Sequence, residues 1–171
     1  MVNVKENVKE TKSKDDVCEN KITIGEVYGL NGAIVELSAS VPTMKGKIVF
    51  ALAKNEGKIE SILKKVNVRR EDIMKKYVKL NKDGTYDLTK LTDEQIEKGE
   101  RPEYIYLDKK NGKIEATKEV QNLMEEEINI DFHKIWKNDF DNLDITPSRV
   151  PNIGLLIKYL VSEEYDLHRL Q

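Results

Sequence analysis

The sequence predicts an α+β protein in which amphipathic helices pack on a small, mostly antiparallel sheet. Three observations carry that expectation. A long run with apolar steps of three and four lies near residues 48–66. Two glycine turns flanked by alternating apolar residues occur near Gly84 and Gly112. A second, shorter apolar segment closes the chain around residues 153–161. At 171 residues, the chain is of a size for one domain, set at 21–171, with a core that needs neither metal nor disulfide. The apolar share of 39% against 35% charged residues implies a modest core under a heavily charged coat.

The first twenty residues mix Lys, Glu, Asp, Asn and Ser, with too few apolar side chains to offset the entropy of ordering. They read as a flexible charged arm, with no apolar centre of the kind a signal peptide needs. Cys18 is the single cysteine. It has no evident activating neighbour and reads as a bystander thiol, and one cysteine allows no intrachain disulfide. A cytoplasmic setting is therefore expected. Basic and acidic residues number 29 and 31, a balance that gives no global pull towards nucleic acid or membrane.

"KITIGEVYGLNGAIVELSAS" opens the domain. Ile22 and Ile24 alternate with polar residues as a short strand does. Val27, Leu30, Ile34 and Leu37 then mark a helix face. Gly25, Gly29 and Gly32 evoke a phosphate loop, but no Gly-Lys-Ser/Thr follows, so close helix packing or a loose helix explains them. Pro42 ends this element and Thr43 caps the next, predicted over Met44–Val66. Its stripe runs Ile48, Ala51, Leu52, Asn55, Ile59, Ile62, Leu63, Val66, with Asn55 as a buried amide. Lys47, Lys54, Lys58, Lys64 and Lys65 lie off the stripe, as a solvated face or a phosphate-binding strip. Asn67 reads as the start of a separate short helix. The Arg69-Arg70 pair then falls in a first turn, where the dipole disfavours cations, so a partner carboxylate is expected to hold it.

"YVKLNKDGTYDL" and "YIYLDKKNGKIEA" predict short strands around tight turns, forming one sheet of three or four strands. Tyr104 and Tyr106 share one strand face, which either covers the core or presents an aromatic contact. Asp83, Asp87 and Asp108 lack the calcium-loop pattern and suit turns. Between the strands, Thr92 and Gln95 have capping-box spacing and Gly99 is a stop. Thr117 is the expected cap of a helix running to about Glu125. "EINIDFHKI" reads as a strand with Ile128, Ile130 and Phe132 on one face and Asn129, Asp131 and His133 on the other. A metal or catalytic reading of Asp131 and His133 lacks further ligands, since nothing brings His168 near. Trp136, with Phe140 four residues on, is either an interface anchor or a lid on the core. Thr146-Pro147 is an N-cap and N1 pair for a last helix carrying Ile153, Leu155, Leu156, Ile157, Leu160 and Val161.

In order and residue type, "KITIGEVYGL", "FALAKNEGKIESIL", "YVKLNKDGTYDL", "LMEEEINIDFHKI" and "LDITPSRVPNIGLLIKYL" resemble an uncharacterised family of short phage-encoded proteins from Gram-positive hosts. The likeness spans residues 21–162. It implies a phage origin and a small accessory role, and it carries over no functional residue. With no catalytic or cofactor motif in the chain, the expected function is non-enzymatic binding of a host or phage protein. The expected outcome is inhibition or modulation of a defence complex, nuclease or polymerase in the infected cell. The candidate contact residues are Tyr104, Tyr106, Trp136, Arg69 and Arg70. A virion or tail assembly factor and a nucleic-acid-binding regulator are the alternatives.

Overall fold

The computed structural model describes residues 21–41, 43–143, 145, 148 and 150–163. The charged arm with Cys18, the helix stop at Pro42, the Thr146-Pro147 cap and His168 lie outside the described residues.

The fold is α+β, as the sequence predicts. Strand β1 (Lys21–Thr23) turns directly into helix α1 (Ile24–Ser40) through a capping box. The Thr23 side chain accepts from the Glu26 amide at 3.1 Å, and the Glu26 carboxylate accepts from the Thr23 amide at 3.0 Å. Val27, Leu30, Ile34 and Leu37 face inward, joined by Ile24 and Ala33. Among the glycines of α1, Gly29 is approached most closely. A Cβ there would stand 2.7 Å from Leu155 Cδ1, which fits the packing reading of this glycine.

Helix α2 (Gly46–Tyr77) departs from expectation. It is one 32-residue helix, about 48 Å long at the usual rise, where the sequence suggests two. Lys45, not Thr43, is its N-cap residue. Asn67 does not cap a second helix, because no Gly or Pro interrupts residues 58–77. Its side chain instead accepts the Tyr28 hydroxyl at 2.7 Å. At the start of α2, Lys45 and Lys47 sit against the helix dipole. The buried carboxylate of Asp139 answers both, at 2.7 and 3.5 Å.

Helix α3 (Asp93–Glu97) carries the expected Thr92–Gln95 capping box, and Gly99 follows with a φ of 72°. Helix α4 (Gly112–Glu125) starts five residues before the expected cap. Gly112 opens it because Tyr106 lies on that spot, 3.1 Å from where a Cβ would be. Thr117 is inside the helix and donates its hydroxyl back to the Lys113 carbonyl. Strand β2 (Glu127–Asn129) pairs antiparallel with β1. The predicted strand stops there, yet its alternation persists: Ile130 and Phe132 are buried while Asn129 and Asp131 are exposed. Strand β3 (Ile135–Trp136) leads to helix α5 (Lys137–Asp141). Helix α6 (Ile153–Leu160) is followed by strand β4 (Val161–Ser162), which pairs parallel with β3.

The main core joins α1, the first half of α2, α6 and the Ile130–Ile135 stretch around Phe132. A satellite core of Ile24, Val66, Ile73 and Leu123 clamps the far half of α2 to α4. Helix α6 is chiefly a core helix: Leu156, Tyr159 and Leu160 are buried, although Ile157 stays exposed.

Candidate partner-binding surface

The two glycine-turn segments form something other than a flat sheet. Three tripeptides, Val78-Lys79-Leu80, Tyr86-Asp87-Leu88 and Tyr104-Ile105-Tyr106, meet pairwise in three antiparallel bridges. Their central residues close a ring of backbone hydrogen bonds. The Lys79 amide donates to the Ile105 carbonyl (2.8 Å), Ile105 to Asp87 (3.0 Å), and Asp87 back to Lys79 (2.8 Å). Each central residue therefore satisfies its N–H and C=O within the junction, which three lone bridges in an open sheet would not do. The turn at Gly84, with a φ of 84°, joins the first two arms. Asp83 closes that turn by accepting from the Thr85 amide and hydroxyl at 3.0 and 2.7 Å, and Asp108 serves the Lys110 and Asn111 amides. These bonds hold both carboxyls below their usual pKa, the Thr85 hydroxyl being the largest influence on Asp83 and the Lys110 amide on Asp108. Asp83 and Asp108 serve as turn formers, as their setting in the sequence suggests, but Asp87 does not: it is the central residue of a bridge tripeptide.

The pleat sorts the side chains. Lys79 and Asp87 meet on one face as an ion pair at 3.0 Å. The flanking residues take the other face. Val78 is buried and Tyr106 is half-buried against Gly112, so this end anchors the junction to the helices. The outer end is uncovered: Leu80, Leu88 and Tyr104 are 38, 42 and 42% exposed. Tyr86 stands between them, edge-on to Tyr104 with ring centroids 5.3 Å apart, and its hydroxyl donates to the Glu71 carbonyl of α2. Desolvation raises the Tyr86 phenol's pKa, Glu71 and Tyr104 add to it, and Arg70 partly opposes them. Arg70 directly precedes Glu71, the residue whose carbonyl holds the Tyr86 hydroxyl.

Of the residues singled out in the sequence, Tyr104 lies on this face with Tyr106 as the anchor beneath, and exposed Arg70 is next in the chain to Glu71, to which Tyr86 is bonded. Arg69 points elsewhere. It forms a two-pronged bond to Glu126 at 2.7 and 2.8 Å, so the carboxylate expected for it belongs to this same chain. Trp136 is half-buried on β3, opposite Ser162 of β4. Leu80, Tyr86 and Leu88 are added by the structure. Their signal in the sequence is the recurrence of apolar-x-apolar triplets, "VKL", "YDL" and "YIY".

His133 and Asp131 serve the fold in part through their backbones. Asn55, fully buried on α2, donates to the His133 carbonyl and accepts its amide, both at 2.8 Å. Lys58 donates to the Asp131 carbonyl. The His133 ring lies edge-on to Phe50 at 6.1 Å. Among the described residues, no three His, Cys, Asp or Glu side chains gather as a metal site, and no helix is long and apolar enough to cross a membrane. Comparison with known proteins returned no matching family model, curated protein or solved structure.

Proposed function

We propose that the protein acts by binding another protein, with the uncovered end of the three-way junction as the contact. The observation that carries this reading is the gathering of Leu80, Tyr86, Leu88 and Tyr104 on a face whose backbone is already tied into a closed ring. Aromatic and aliphatic side chains on a preorganised backbone lose little entropy on association, and tyrosine and arginine are common anchors of interfaces. Exposed Arg70, next in the chain to the Glu71 carbonyl that holds Tyr86, adds a positive charge near this face.

A protein partner is favoured over nucleic acid by the fate of the α2 lysines. Lys45 and Lys47 share the one carboxylate of Asp139, and Lys58 is tied to a backbone carbonyl, so these three ammonium groups are already engaged within the chain. In keeping with the family resemblance, the partner is a host or phage protein and the effect stoichiometric inhibition or modulation. The test is affinity capture from a Gram-positive bacterial lysate, with wild type and the Leu88→Asp/Tyr104→Asp double variant in parallel. The reading expects a partner enriched by wild type and lost with the variant. Equal recovery by both would remove the junction from the interaction.

A further inference from the structure

A second place on the molecule, away from the junction, has the makings of a ligand site. Between the end of α1 and the start of α2 lies a cleft of about 260 Å³, lined by Ser38, Val41, Met44, Val49, Leu52, Ala53 and Glu56. Its walls are mainly aliphatic. Val49 of α2, on one wall, is 48% exposed and so presents apolar surface at the mouth. Glu56 is the one charged residue in the lining, and it is half-buried. Among the described residues, no lysine or arginine pairs with it. The positions one turn before and after it on α2 hold Leu52, Ala53, Ile59 and Glu60, none of them basic. The nearest basic residues at the start of the helix, Lys45 and Lys47, are engaged with Asp139.

We infer that this cleft binds a short apolar peptide segment of another polypeptide through one arginine or lysine side chain. The methylene stem of such a side chain matches the aliphatic walls, and its cationic head matches Glu56. An acidic or purely aliphatic segment leaves the carboxylate unanswered, and a nucleic-acid phosphate would be repelled by it. The cleft lies within the main core region, where Leu52 and the partly buried Val41 and Met44 hold its floor. It is therefore a preformed feature of the folded chain, and it is independent of the junction contact proposed above.

The experiment uses the full chain and two blocked tripeptides, acetyl-Leu-Arg-Leu-amide and its glutamine counterpart. Binding is followed by amide chemical shifts in wild type, Glu56→Gln and Ala53→Phe. In wild type the arginine peptide should move the amides of Met44, Val49, Ala53 and Glu56 and bind about fivefold tighter than the glutamine peptide, the scale of one partly screened ion pair. Glu56→Gln should erase that preference, and Ala53→Phe, which fills the cleft and keeps the carboxylate, should weaken both peptides. An arginine preference that survives Glu56→Gln, or shifts confined to other surfaces, would overturn the assignment. The junction variant Leu88→Asp/Tyr104→Asp should bind the arginine peptide as wild type does; loss there would show that the two sites are not separate.

Discussion

Asn55 commits both ends of its amide to one residue. Its Oδ1 accepts the His133 amide and its Nδ2 donates to the His133 carbonyl, in a fully buried position. Asn55→Leu removes both partners at once and leaves two backbone groups poorly solvated, at a cost of about 2–4 kcal/mol. Urea denaturation should show a clearly lower midpoint. An unchanged midpoint would mean that water replaces the amide without loss. Glu26 is the other residue on which several elements converge. Burial pushes its carboxyl up, but bonds from Lys158 (2.9 Å), the Thr23 amide (3.0 Å) and the Tyr159 hydroxyl (2.8 Å) outweigh that and hold the pKa at about 2, against an ordinary 4.5. A depressed folded-state pKa stabilises above the unfolded value and loses that stabilisation as pH falls through the window from 4.5 to about 2. With 29% of the Glu26 side chain and 58% of the Lys158 side chain exposed, solvent screening holds the contribution to about 1–2 kcal/mol. Glu26→Gln keeps the capping box, since glutamine also serves at that position. It should therefore flatten this acid limb in stability measured from pH 6 to 2.

Glycine behaves differently in different elements, and that difference is testable. Gly57 lies in the interior of α2 with open space where a Cβ would go. Gly57→Ala should raise stability by roughly 0.5–1 kcal/mol through helix propensity and a less free unfolded chain. Gly84 also has open space around it, yet its φ of 84° is the left-handed region. Gly84→Ala should cost about 1–2 kcal/mol there. Thermal unfolding of the two variants should thus shift in opposite directions. The α2 boundary shows what a sequence carries and what it omits. The apolar stripe from Ile48 to Val66 is plain in the spacing. The continuation to Tyr77 depends on α4 arriving alongside, with Val66, Ile73 and Leu123 in one cluster and Arg69 bonded to Glu126. Local signals at Asn67 suggest a cap, but a tertiary contact from Tyr28 uses that side chain instead.

Across the whole molecule, the α+β class was legible because patterning and turn chemistry are local: steps of three and four for α1 and α2, and an Asp-Gly turn for the junction, whereas Asn111-Gly112, read as a turn between strands, opens α4 instead. The ring at Lys79, Asp87 and Ile105 was not, because it joins segments up to 26 positions apart, as the numbers 79 and 105 show. Tyr104 was readable as a surface aromatic, while its companions Leu80, Tyr86 and Leu88 become neighbours only when the ring closes. The same architecture separates the proposed contact surface from the main core. The main core lies around Phe132 and the first half of α2, whereas the junction hangs beyond the C-terminal end of that helix, fixed by Val78 and Tyr106. Its outer residues are only partly covered, so Leu88→Asp and Tyr104→Asp should each cost about 1–2 kcal/mol of global stability, less than a core truncation. Hydrogen exchange should find the amides of Lys79, Asp87 and Ile105 protected together, opening as one unit, at a lower free energy than α1 amides such as Leu30. If each ring amide instead exchanges at its own rate, the junction is three separate turns and not a preorganised platform, and the entropic case for it as a binding surface goes with it.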